Sequence, residues 1–182
     1  MTSPTQTTAD PVPDAPAQPL RTRTFEWLDP ATIAVAGRTM AGVDFLRSLQ
    51  SDRSAPIAEC LGFRLTEVDA GRVVFEIRPA EFHYNPMGTV HGGVVATLCD
   101  SAMGAAVHST LPLGSGYTSL EIKVNFVRAM TAATGPVRCE GKVVSQGSRV
   151  ATAEARLTDA AGKLYAHASS TCLILAAPPA KA

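Results

Sequence analysis

The densest run of reactive residue types reads Asn85, Pro86, Met87, Gly88, Thr89, Val90, His91, Gly92, Gly93, and an apolar segment carrying Asp100 follows it. Two glycines where a helix begins allow close backbone approach, and they leave the first amides of that helix without intrahelical acceptors. Such amides can hold a carbonyl oxygen that is becoming negative. For a bare His-Gly-Gly, a tight loop-to-helix turn where any side chain would clash is the more common explanation. Asp100 adds weight to the chemical reading. It is the lone charge of its segment, two turns in, and a buried carboxylate is costly unless it is paired or used. Its plain alternative is a core aspartate satisfied by Thr97 or Ser101. Ser119, beside Thr118, is uninformative alone and reads as a strand-entry hydroxyl. His108 suits the negative end of a helix, and His83 and His167 are isolated. Gly114-Ser115-Gly116 is not a nucleophile elbow, because that motif needs Gly-x-Ser-x-Gly between a strand and a helix.

These groups must be positioned by the surrounding elements. The stretch from Gly92 to Thr110 is rich in Ala, Val, Leu and Met on every side, so it predicts a long helix buried nearly all round. Gly104 inside it costs about 1 kcal/mol against alanine and predicts a close backbone contact. Before the helix, Phe63 and Leu65 begin a short strand, and Val73, Phe75 and Ile77 alternate with polar neighbours in a second. After it come four more: Leu120, Ile122, Val124 and Phe126; Val137, Cys139 and Val143; Val150 to Leu157; and Leu164 to Leu175. Gln146-Gly147-Ser148 predicts a hairpin turn, as does Asp159 to Gly162. Two strands, one buried helix and four strands joined by tight turns predict an α+β fold, an antiparallel sheet wrapped around one central helix.

The chain's 182 residues suffice for one such domain with some excess. Residues 1–23, rich in Pro, Thr, Ala and Ser, predict a disordered tail. Residues 24–57 predict a helical N-terminal extension, with Asp29-Pro30 as N-cap and first helical residue. The main domain is placed at 58–176, with a frayed end at 177–182. Sixteen basic and sixteen acidic residues cancel, so nothing points to nucleic acid or an anionic membrane. Cys60, Cys99, Cys139 and Cys172 are scattered without metal-ligand or redox spacing, so no metal is expected. With no apolar leader and no long uncharged apolar run, a reduced cytoplasmic setting is expected.

The run NPMGTVHGGVVATLCDSAMG, with Ser119 downstream, resembles the hotdog-fold acyl-CoA thioesterases of the phenylacetate-pathway (PaaI) type and their 4-hydroxybenzoyl-CoA thioesterase-like relatives. The resemblance implies a hotdog fold and hydrolysis of an acyl- or aryl-acyl-CoA without a cofactor. It implies that Asn85 and the Gly92 amide hold the thioester carbonyl. Asp100 would act as general base or nucleophile, with Ser119 orienting the water or the aspartate. His91 belongs to the motif. Gly93, Arg128, Gln146, Gly147 and Arg149 are assigned to substrate binding, the two arginines because CoA phosphates need local cations in a chain of zero net charge. A homo-oligomer, a dimer or dimer of dimers, is implied, with each site built from two chains. Gly93 and Asp100 stand seven residues apart, about 10 Å of helical rise, so one helix spans the site only awkwardly. A non-catalytic acyl-CoA sensor and a hotdog hydratase or dehydratase are the alternatives, although the His-Phe-Pro-Gly element of the acyl-carrier-protein dehydratases is missing.

Overall fold

The computed structural model describes residues 19–50 and 55–175. Of the tail expected at residues 1–23, residues 1–18 lie outside the described residues, as does the frayed end at 177–182. Three short helices come first: α1 (Pro30–Thr39), α2 (Gly42–Ser48) and α3 (Pro56–Leu61). Asp29 caps α1, its carboxylate accepting from the Ala31 amide at 2.9 Å, with Pro30 opening the helix. Ahead of α1, Arg23 lies over the Phe82 ring, 4.1 Å from its centroid, and donates to the Glu59 carbonyl at 3.1 Å.

The strands β1 (Phe63–Asp69) and β2 (Arg72–Ile77) precede the helix α4 (Gly92–His108). After it come β3 (Gly116–Phe126), β4 (Val137–Gln146), β5 (Val150–Asp159) and β6 (Leu164–Leu175). All pairings are antiparallel, in the order β1-β2-β4-β5-β6-β3. The sheet curls around α4, which touches all six strands, and this is the expected hotdog architecture. Among the described residues no helix is long and apolar enough to cross a membrane.

Packing explains the composition of α4. Leu98, Cys99, Ala102, Met103, Ala106 and Val107 are fully buried against a sheet face that includes Val137, Cys139, Ala153 and Leu157. Each large side chain among them contributes about 1.5–3 kcal/mol by leaving water. Helix and sheet approach so closely that a β-carbon on Gly141 would stand 2.1 Å from the Ala102 carbonyl oxygen. Gly104 has a different neighbour from the one its sequence suggests. A β-carbon there would meet the Tyr117 hydroxyl at 2.3 Å, so the glycine makes room for a side chain rather than for backbone.

Two expectations need correction. The helix is not covered all round: Gly93 is exposed, and Thr97, Asp100 and Ser101 are half-buried, because the curled sheet leaves a gap between its edge strands. Strand β3 is one of those edges, and its apolar residues are largely open, with Leu120 57%, Ile122 38% and Phe126 60% exposed. Its simple alternation is interrupted by a register shift between Ser119 and Glu121, which places Leu120 in an irregular step.

Candidate active site

The loop before α4 is built to hold Asn85 and His91 still. The Asn85 amide donates to the Thr89 carbonyl at 2.8 Å, and the Gly88 amide donates to the Asn85 carbonyl at 3.0 Å. The Asn85 side-chain oxygen accepts from the Met87 amide at 2.9 Å and the Thr89 amide at 3.3 Å. With its oxygen committed and Nδ2 donating to the Thr89 hydroxyl at 3.3 Å, the side chain can offer its remaining Nδ2–H to a ligand. The Val90 amide is tied to the Met130 carbonyl at 2.9 Å, which fixes the loop to the segment after β3.

His83, which looked isolated in sequence, anchors this loop from behind. It is 2% exposed, its Nδ1 accepts from the Ala80 amide at 3.0 Å, and its Nε2 lies 2.7 Å from the Leu61 carbonyl. That geometry requires a neutral ring, and burial lowers its pKa accordingly, against the opposing effect of the Leu61 hydrogen bond. Its own carbonyl accepts from the His91 amide at 2.8 Å.

His91 is the N-cap of α4. Its Nδ1 accepts from the Gly93 amide at 2.8 Å, and its carbonyl accepts from the Val94 amide at 3.0 Å. An accepting Nδ1 leaves Nε2–H as the outward donor of the neutral ring. Among the described residues, no group accepts from the Gly92 amide, which directly precedes the two capped amides. The Phe126 ring covers it closely, since a β-carbon on Gly92 would stand 3.1 Å from the ring. A cavity of about 340 Å³ opens there, lined by Asn85, Thr89, Gly92, Phe126, Arg128 and Tyr165 among others. Three sequence candidates, Asn85, Gly92 and Arg128, therefore share one cavity. Arg128 is exposed and donates to the Leu164 carbonyl at 2.6 Å.

Asp100 belongs to a second cluster. The Ser119 hydroxyl donates to Asp100 Oδ1 at 2.8 Å, so Ser119, and neither Thr97 nor Ser101, is the hydroxyl partner. The Thr97 hydroxyl is used in donating to the Gly93 carbonyl at 2.9 Å. Tyr117, which its sequence context does not single out, and Cys172, expected only as one of four scattered cysteines, complete the surroundings. Burial, and then the Asp100 charge, push the Tyr117 phenol well above its usual range, so it stays protonated. Burial likewise pushes up the Cys172 thiol. Cys172 is the direct strand partner of Ser119, and Tyr117 lies two residues before Ser119 on β3.

Within one chain the two clusters stay apart. Gly92 and Asp100 are eight residues apart on α4, about 12 Å of rise. Gln146, Gly147 and Arg149 lie farther along, beyond the other end of the helix, where Gln146 Oε1 accepts from the Thr110 hydroxyl. The 17 residues of α4 extend about 25 Å, so Arg128 and Arg149 do not converge within one chain.

A family model described as the thioesterase superfamily matches residues 87–166. A Saccharolobus solfataricus protein named as an esterase is 34% identical over 119 residues, which is 65% of this chain and 83% of that protein. Human acyl-coenzyme A thioesterase 13 is 32% identical over 112 residues, 59% of this chain and 78% of the human protein. Among solved structures, a phenylacetic acid degradation-related protein of Ralstonia eutropha is 28% identical with a TM-score of 0.62. The match covers 70% of this chain and 96% of that one.

Proposed function

Since the chain belongs to the thioesterase superfamily, we propose that it hydrolyses an acyl- or aryl-acyl-CoA to the free acid and CoA, using Asp100, Ser119, Asn85 and the Gly92 amide. The observation that carries this reading is the hydrogen bond from Ser119 to Asp100 Oδ1. It fixes a half-buried carboxylate on the open stripe of α4 and leaves Oδ2 without a partner among the described residues.

The thioester carbonyl is received by the Gly92 amide and by Asn85 Nδ2, with the His91 ring holding the helix start in place. Losing one donor of this kind typically costs about 2.7–4 kcal/mol in barrier. Water adds to the carbonyl carbon as Asp100 takes its proton, and the tetrahedral oxyanion then collapses. The C–S bond breaks, and the thiolate leaves and is protonated. In the other route, Asp100 attacks the carbonyl itself to give a mixed anhydride, which water then opens. Both routes use the same residues.

A separation of about 12 Å between Gly92 and Asp100 is too long for either route within one chain, because a base must come within about 3 Å of the proton it removes. A homodimer resolves this by setting the Asp100 of one chain beside the Gly92 amide of the other. The open β3 edge with Leu120, Ile122 and Phe126, together with the uncovered stripe of α4, favours such a contact. The same two-fold relation would let Arg128 of one chain and the Gln146-Gly147-Arg149 turn of the other converge on the CoA phosphates. The human relative's name supports acyl-CoA as the substrate class.

The test is thiol release from a panel of acyl-CoAs by the purified chain. Catalytic release from at least one member is expected, and no release from any of them would overturn the reading.

A further inference from the structure

Helices α2 and α3 lie outside the 87–166 match, yet they close a cavity that ends on the helix bearing Asp100. Leu46 and Leu49 of α2, Ile57 of α3 and Phe75 of β2 form apolar walls, and among the described residues the side-chain hydroxyls lining the cavity are those of Ser101 and Tyr117. Both adjoin the proposed catalytic pair along the chain, while Asp100 and Ser119 themselves are not part of the lining. Ser101 follows Asp100 directly, and Tyr117 is two residues from Ser119 on β3. Among the described residues the Tyr117 hydroxyl makes no hydrogen bond, so its proton is available to something in the cavity. The cavity is thus polar on its α4 and β3 side, next to the turn that bears Asp100, and apolar toward α2 and α3.

This polarity is that of an acyl group with its carbonyl at the reacting end and its hydrocarbon away from it. The volume limits its size. The cavity holds about 170 Å³, and an apolar protein cavity of about 150 Å³ accommodates one benzene molecule. The geometry points to this cavity as the acyl-binding pocket, fitted to a single aromatic ring or a hydrocarbon chain of similar volume, with α2 and α3 as the segment that sets acyl specificity. The inference rests on the thioesterase reading above. In the two-chain site, the protomer that supplies Asp100 would also supply the acyl pocket, while its partner holds the carbonyl oxygen.

Specificity constants for acetyl-, hexanoyl-, benzoyl- and palmitoyl-CoA, measured on the full chain, test the assignment. Wild type is expected to favour benzoyl- or hexanoyl-CoA over palmitoyl-CoA. Leu49→Trp and the half-exposed Ile57→Trp should each fill the pocket. Either should lower the ratio of kcat/KM for benzoyl-CoA to that for acetyl-CoA by at least about tenfold, the discrimination typical of a one-methylene misfit. Leu49→Ala should move the preference the other way, toward the longer chain. Circular dichroism identifies which variants are folded. Folded variants with wild-type acyl preference would overturn the pocket while leaving the thioesterase reading intact. Wild type inert toward all four substrates would instead overturn the reading on which the pocket depends.

Discussion

The Ser119 hydroxyl donates to Asp100 Oδ1 at 2.8 Å, joining β3 to α4 at the one acidic residue that the helix carries. The bond joins two residues 19 apart in sequence, and it selects one orientation of the carboxylate. Tyr117 and Cys172, both held protonated by burial, flank it without adding charge.

Ser119→Ala should therefore lower kcat rather than raise KM, because Ser119 steadies Asp100 and does not touch the CoA. A hydrogen bond to a charged group is worth about 1.5–3 kcal/mol, which corresponds to a loss of roughly tenfold to a hundredfold in kcat. Ser119→Thr keeps the hydroxyl and should keep most of the turnover. Steady-state kinetics of both variants decide the point. A folded alanine variant with wild-type kcat would reduce Ser119 to a strand-entry residue.

Stability should fall on mild acidification, and His108 should carry part of that fall. Its ring packs edge-on against Phe45 and Tyr117, its Nε2 is buried with no hydrogen-bond partner among the described residues, and burial lowers its pKa. His83 is lowered in the same direction. Below about pH 6.5, the ordinary histidine range, the unfolded chain takes up protons more readily than the folded one, so stability is lost as pH falls. Thermal midpoints measured between about pH 8 and about pH 5.5 should decline, and His108→Phe should flatten the decline. An unchanged slope in the phenylalanine variant would remove His108 from the account.

The strands and the central helix were readable because they follow local rules. Val73, Phe75 and Ile77 alternate, α4 is apolar on most of its turns, and glycine and proline mark its ends. The site loop was equally visible, since Asn85, His91, Gly92 and Asp100 lie within sixteen residues of one another. What sequence did not reveal depends on non-local register. Nothing local says that Ser119 pairs with Cys172 or that Tyr117 fills the space beside Gly104. A glycine in a helix and a tyrosine on the following strand were the available signal. The openness of β3 was hidden because an apolar alternation looks the same on an edge strand as on a central one. The separation of Arg128 from Arg149 emerged only when the length of α4 was set between them.

Subunit mixing tests whether the site is shared. Asp100→Asn and Asn85→Ala proteins should each be inactive alone. After confirmed subunit exchange, some mixed dimers would carry one intact site and one doubly damaged site, so activity should return. Confirmed exchange without recovery would contradict a two-chain site.

The central claim is that Asp100 performs the chemistry, and Asp100→Asn tests it most directly. The substitution is nearly isosteric and keeps an oxygen to accept from Ser119, so the fold should survive. Thiol release from a good acyl-CoA substrate should drop by at least roughly a hundredfold, the lower end of what a general base contributes. A folded Asp100→Asn protein that releases thiol at near the wild-type rate would contradict the account.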